Sequence, residues 1–95
     1  MKYLALVTAL AASPVVAQTP CLPRDVALEH LAADYAESRQ SVALAADGSL
    51  IEVFASEAGT WTLTRTQPGG PMCLLAAGES YQYVNEPLPP MGQEG

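Results

Sequence analysis

The sequence predicts an α+β domain in which one N-terminal helix packs on a four-stranded antiparallel β-meander, stapled by one disulfide. Three observations predict this fold. Apolar side chains recur at three- and four-residue steps between residues 25 and 38, as in an amphipathic helix. From residue 40 onward the apolar residues alternate with polar ones in short runs separated by glycine-containing turns. Two cysteines, Cys21 and Cys73, flank these segments.

Residues 1–17 have the features of a cleaved secretory signal peptide. Met1-Lys2 gives a short basic start, residues 3–12 form an apolar stretch too short to span a bilayer, and Ala17 is the small residue that signal peptidase requires. Cleavage there would leave 78 of the 95 residues, enough for one domain at 18–84 followed by a proline-rich tail at 85–95 that we expect to be disordered. The expected location is periplasmic or secreted, with no membrane insertion after signal removal.

The two cysteines are expected to form a disulfide, because an exported chain folds in an oxidising compartment. The bond would close a loop over the 51 residues between positions 21 and 73. Loop-closure entropy predicts a stabilisation of about 4 kcal/mol, a large contribution for so small a domain. Two cysteines cannot complete a structural zinc site, and the sequence has no Cys-x-x-Cys redox motif.

The charge of the chain is acidic. Without the predicted signal peptide, three arginines stand against ten acids, a net charge of −7. Binding to nucleic acid or to anionic lipid needs a basic surface, so neither is an expected partner. A protein with a basic surface suits this charge better.

The helix is predicted over residues 25–38, with Asp25 as its N-cap and Arg39 near the negative end of its dipole. Strands are predicted over residues 40–45, 49–55, 60–65 and 72–77, and residues 79–84 allow a further short strand. Asp47-Gly48 is the strongest signal for a two-residue hairpin turn. That turn would place Val42, Leu44, Ile51 and Val53 on one face of the sheet, continued by Trp61 and Leu63, and we expect the helix to cover this face.

The opposite face of the sheet is the predicted binding surface. Its apolar residues would be unusual on the solvent side of an antiparallel sheet, and a line of threonines runs among them. The predicted surface comprises Leu50, Phe54, Thr62, Met72 and Leu74.

Catalytic and metal-binding patterns are weak. His30, the single histidine, lies one helical turn before Asp34, but two ligands alone make no metal site, and no serine occupies a nucleophile elbow. Glu52 and Glu57 are the acids nearest the central hairpin, yet a sheet of this size offers little room for a cleft between two catalytic carboxyl groups. We expect no catalytic residue, no metal and no cofactor.

Several stretches resemble short exported proteins of alphaproteobacteria with no established function. The resemblance rests on Tyr35-Ala36-Glu37-Ser38, Glu52-Val53-Phe54-Ala55-Ser56, Gly59-Thr60-Trp61-Thr62 and the segment from Cys73 to Glu79. Some of these proteins are labelled S-adenosylhomocysteine hydrolase. That label does not suit this chain, which has neither a Gly-x-Gly-x-x-Gly turn nor the length of a dinucleotide-binding fold. The resemblance implies export and supplies no catalytic residue.

These observations favour a small, uncharacterised, non-enzymatic binding module of the cell envelope, with a protein as the expected partner. The alternative is an accessory structural subunit of an envelope assembly, in which the same apolar face is permanently buried. A small acid hydrolase using Glu52 or Glu57 is the third hypothesis.

Overall fold

A computed structural model describes residues 19–90, so the predicted signal peptide and the last five residues of the predicted tail lie outside the described residues. The order of elements is β1 (Cys21–Leu22), α1 (Arg24–Tyr35), β2 (Ser38–Leu44), β3 (Leu50–Ala55), β4 (Trp61–Thr66) and β5 (Met72–Gly78). The strands form one antiparallel sheet in the order β1-β5-β4-β3-β2. The α+β class is confirmed, with five strands instead of the four predicted.

The additional strand is the short segment ahead of the helix. Pro20 and Pro23 keep the residues before them extended, and Cys21–Leu22 pairs with Cys73 and Met72 at the edge of β5. Cys21 and Cys73 therefore lie directly opposite one another, and the structure contains the disulfide between them. Residues 79–90 form no helix or strand.

The helix is three residues shorter at its C-terminus than predicted. Ala36 takes a left-handed conformation with φ 55°, which ends the helix at Tyr35. The Ala36 N–H donates to Ala32 O at 3.1 Å, and the Glu37 N–H donates to Leu31 O at 2.9 Å. The first of these bonds is that of an αL motif, in which the left-handed residue is usually glycine and is alanine here.

The start of the helix also differs from the prediction. Pro23 holds the N-cap position, and no side chain caps the helix. The Asp25 carboxylate accepts a hydrogen bond from the neighbouring Val26 N–H at 2.9 Å instead. Arg39 lies in β2 and not at the end of the helix.

The turn between β2 and β3 has one more residue than predicted. The Ala45 N–H donates to Ser49 O at 2.8 Å, and the Gly48 N–H donates to Ala45 O at 2.9 Å, so the loop is Ala46-Asp47-Gly48. Gly48 has a φ of 89°, the left-handed conformation that closes a three-residue hairpin loop. The change of one residue moves the side chains from Ser41 to Leu44 to the other face of the sheet, whereas a β-bulge between Arg39 and Ser41 leaves Ser38 and Arg39 on the faces that the prediction gave them. Leu44 consequently pairs with Leu50 and Val42 with Glu52, not with Ile51 and Val53.

The helix covers the face that was predicted to be free. The core consists of Ala27, Leu31, Phe54 and Met72, with Leu28 packed against it. Phe54 is 3% exposed and Met72 2%, Thr62 is buried, and Leu50 and Leu74 are half-buried. The prediction of a free binding face formed by these five residues is therefore wrong.

The face predicted to lie beneath the helix is the open one. Its residues Ile51, Val53, Trp61 and Leu63 are half-buried. Val42 and Leu44 share the helix side of the sheet but lie on the edge strand β2, beyond the reach of α1, and both are exposed. No helix within residues 19–90 combines the length and the apolar character needed to cross a membrane.

Candidate ligand groove beside the helix

A buried carboxylate on the covered face is held by two arginines. The side chain of Glu52 is 0% exposed. Arg24 at the start of α1 donates to both its oxygens, at 2.6 Å to Oε1 and 2.8 Å to Oε2. Arg39 of β2 donates to Oε2 at 3.0 Å. This three-residue network allows an acid to lie beneath the helix, because each carboxylate oxygen has a cationic donor.

The Arg24 hydrogen bonds hold the pKa of Glu52 below its ordinary value, against the opposing effect of burial, and Arg39 adds to the lowering. A carboxyl group in this state is ionised and has its oxygens occupied, so it is unsuited to act as a general acid or a nucleophile. Glu57, the other acid considered for hydrolysis, lies exposed in the turn between β3 and β4. The two acids therefore have unrelated surroundings.

His30 and Asp34 bind each other on the outer surface of α1. His30 Nδ1 lies 2.7 Å from Asp34 Oδ2, and both side chains are exposed. Among residues 19–90 no group of three or more histidine, cysteine or acidic side chains is placed to hold a metal ion.

A groove runs along the side of the helix that faces β5. The helix starts beside β1, which pairs with the beginning of β5. It ends two residues before β2, which lies at the other edge of the sheet and begins level with the end of β5. The helix therefore crosses the sheet diagonally and diverges from β5. The space between them, called here the α1–β5 groove, has an inner part of about 180 Å³ and an outer part of about 440 Å³. The two parts share Leu31, Thr62 and Leu74 as lining residues.

The inner part is apolar except for its threonines and His30. It is lined by Pro20, Leu22, Ala27, His30, Leu31, Thr62, Thr64, Met72 and Leu74. The outer part adds aromatic and acidic side chains, and is lined by Leu31, Tyr35, Glu37, Thr60, Trp61, Thr62, Leu74, Ala77, Gly78 and Glu79. An apolar cavity with a few polar groups is the usual form of a small-ligand site.

Glu37 is the unusual residue of the groove. It is 5% exposed, and its Oε1 is a buried atom without a hydrogen-bond partner among residues 19–90. The left-handed turn at Ala36 places it there, since the turn ends the helix and directs the chain into β2. Burial of an unpaired carboxyl oxygen costs roughly 1–3 kcal/mol, so its presence in a folded protein needs an explanation, such as a bound ion or a functional role.

Trp61, whose side chain belongs to the open face of the sheet, borders the outer end of the groove. Its indole N–H donates to Glu79 O at 3.2 Å. The indole ring lies over Gly78 so closely that a Cβ at that position would be 3.0 Å from its atoms. A glycine at position 78 therefore lets the ring pack directly on the backbone of β5.

Of the predicted binding residues, Thr62, Met72 and Leu74 line the α1–β5 groove, whereas Leu50 and Phe54 do not. Glu37 was absent from the predicted site, because the predicted helix extended to residue 38 and gave Glu37 a solvated helical position. Trp61 was predicted to lie on the face beneath the helix, and the pairing of β4 places it on the open face instead.

A second concave region lies at the opposite side of the helix end. It has a volume of about 620 Å³, and its lining includes Tyr35, Tyr81, Tyr83 and Gln40. The segment after β5 forms one side of it, held where the Tyr81 N–H donates to Gly59 O at 2.9 Å. The buried side-chain atoms without a partner among residues 19–90 are Glu37 Oε1 and Ser49 Oγ, and neither residue lines this region. The α1–β5 groove is therefore the stronger candidate site.

Comparison of the chain with protein-family models, with curated proteins and with solved structures finds no match.

Proposed function

We propose that the protein is an exported, non-enzymatic binding module of the cell envelope, and that its ligand occupies the α1–β5 groove. One observation carries this proposal: an open, mainly apolar groove contains a buried carboxyl oxygen, on Glu37, that the described residues leave without a partner. A polar atom of this kind fixes the orientation of a ligand whose apolar part is held by the groove walls.

Two observations support the compartment and the absence of catalysis. The Cys21–Cys73 disulfide suits an oxidising compartment, as do the predicted signal peptide and the resemblance to short exported proteins of alphaproteobacteria. Glu52, the candidate catalytic acid nearest the centre of the sheet, is bound by Arg24 and Arg39. A binding role therefore explains the groove and requires no catalytic role for Glu52.

The chain contains a single tryptophan, Trp61, and that residue lines the groove. Its fluorescence therefore reports occupancy directly. Titration with N-phenyl-1-naphthylamine, an uncharged apolar dye, should quench Trp61 with saturation. Ala77→Phe, at an exposed position on the groove wall, should fill the groove and abolish saturable quenching. Ala33→Phe adds the same ring to the outer surface of α1 and should leave the titration unchanged.

Unaltered dye binding by Ala77→Phe, in a protein whose circular dichroism matches the parent, would remove the groove from consideration. Linear quenching without saturation in the parent protein would do the same.

A structural subunit of an envelope assembly is the second candidate, and the edge of the sheet favours it. Every residue of β2 is exposed, and Leu44 is 73% exposed. An edge strand with unpaired backbone groups and exposed apolar side chains can pair with another chain. Gel filtration of the purified protein separates the candidates, because the binding module should elute as a monomer and the subunit should associate.

A further inference from the structure

We infer that the α1–β5 groove binds an aliphatic ammonium group, presented as a lysine side chain of a partner polypeptide, with the ammonium directed to Glu37. The inference rests on the proposed function and adds the chemistry of the ligand to it. The outer part of the groove is lined by two acids, Glu37 and Glu79, and by no arginine or lysine. The charge of the groove therefore favours a cation.

The arginines of the described chain are already bound elsewhere. Arg24 and Arg39 both bind Glu52, and Arg65 binds Asp47 near the opposite end of the sheet. Each of these guanidinium groups would have to leave a carboxylate in order to reach Glu37. Within residues 19–90, the buried oxygen of Glu37 thus has no arginine or lysine available to it, and a cation from a ligand would supply the missing partner.

The shape of the groove suits a flexible aliphatic chain. Leu31, Thr62 and Leu74 line both parts of the groove, so an apolar wall continues up to the acidic end. A lysine side chain has four methylene groups, which would contact the apolar wall, and a terminal ammonium, which would reach the acidic end. The acidity of the chain, with net charge −6, also attracts a basic partner protein.

The test is a Trp61 fluorescence titration with two pairs of probes. The first pair is n-hexylammonium and 1-hexanol. The second pair is the acetylated and amidated pentapeptide Gly-Gly-Lys-Gly-Gly and the same peptide with norleucine in place of lysine. The proteins are the parent, Glu37→Gln, and Glu29→Gln as a control that removes one exposed carboxylate from the outer surface of the helix.

The parent should bind each ammonium probe at least about tenfold more tightly than its uncharged counterpart, as expected for a hydrogen bond to a charged group. Glu37→Gln should reduce this preference to about twofold or less, and Glu29→Gln should keep it. Each probe is also added to protein that already holds N-phenyl-1-naphthylamine, the dye whose binding Ala77→Phe should abolish. Displacement of this dye establishes that the probe occupies the groove.

Equal affinity for charged and uncharged probes in the parent would overturn the inference while leaving the groove as a binding site. A preference for ammonium that survives in Glu37→Gln would overturn the role of Glu37. Binding of hexylammonium without binding of the lysine peptide would overturn the polypeptide as the source. If no probe binds, the inference is wrong, and the dye titration alone decides the proposed function.

Discussion

Arg24 donates two parallel hydrogen bonds to Glu52, at 2.6 and 2.8 Å, and so joins the first residue of the helix to the centre of the sheet. Glu52 is fully buried whereas the side chain of Arg24 is 33% exposed. The pair thus extends from the covered face to the solvent. Its loss would leave a buried carboxylate with Arg39 as its remaining cationic partner.

Arg24→Met retains most of the aliphatic stem and removes the charge. We expect the free energy of unfolding to fall by about 2 kcal/mol, less than the loss for a fully buried pair because Arg39 stays bound and Arg24 is partly solvated. Arg65→Met, which removes an exposed pair with Asp47, should cost less than Arg24→Met, because water screens exposed ion pairs. Urea denaturation of both variants measures the difference, and equal losses would mean that the Arg24 pair contributes no more than a surface pair.

Acid should weaken the fold through Glu52. Its folded-state pKa is lowered, first by Arg24 and then by Arg39, so its contribution to stability is present above the unfolded-state value of about 4.3. That contribution is lost as the pH falls from there through the lowered folded-state pKa. Glu52→Gln should therefore show a shallower loss of stability in this range. Some dependence of stability on pH should remain in Glu52→Gln because of Asp47, whose pKa is lowered mainly by its hydrogen bond from the Ser49 N–H. Denaturant melts between pH 2 and 6 test this, and identical slopes in parent and variant would exclude Glu52 as the titrating group.

The extent to which α1 covers its face of the sheet can be tested with two apolar residues of adjacent strands. Phe54 is 3% exposed beneath the helix, and Leu44 is 73% exposed on the edge strand. Phe54→Ala should lower the free energy of unfolding by about 3–4 kcal/mol. Leu44→Ala should change it by no more than about 0.5 kcal/mol. Thermal and urea unfolding measure both, and a larger loss for Leu44→Ala would show that α1 covers the edge strand and not Phe54.

The left-handed residue after the helix offers a stabilising substitution. Ala36 has a φ of 55°, a conformation that costs a side-chain-bearing residue roughly 1 kcal/mol and costs glycine nothing. Ala36→Gly should raise the free energy of unfolding by about 0.5–1 kcal/mol, whereas Ala33→Gly, on an exposed position inside α1, should lower it by about 1 kcal/mol. Opposite changes in the free energy of unfolding, measured by urea denaturation, are the expected result, and a loss in both variants would contradict the left-handed conformation of Ala36.

The two hairpin turns show how much of the strand register could be predicted from the sequence. Across the Glu57-Ala58-Gly59 turn, the predicted sharing of a face by Phe54 and Thr62 agrees with the observed pairing. At Ala46-Asp47-Gly48 the Asp-Gly pair suggested a two-residue turn, although the same arrangement of two residues followed by a left-handed glycine occurs there. Comparison of the two turns would have given the correct register.

The choice of the covered face could not be read from local patterns. Glu52 and the threonines made that face look solvated, and its burial depends on Arg24 and Arg39, which lie 28 and 13 residues away in the chain. The position of Glu37 likewise depends on the end of the helix at Tyr35, which alanine terminates in a conformation more typical of glycine. Both features follow from contacts between distant segments and not from periodicity.

The helix is joined to the sheet by short connections at both ends. The disulfide lies three residues ahead of Arg24, and only Ala36 and Glu37 separate the last helical residue from β2. These links determine the angle between α1 and β5 before any ligand arrives, so the groove is preorganised. A ligand would displace water from walls that already have their bound-state spacing, with little loss of conformational entropy in the protein, and its affinity would depend mainly on how well it fits.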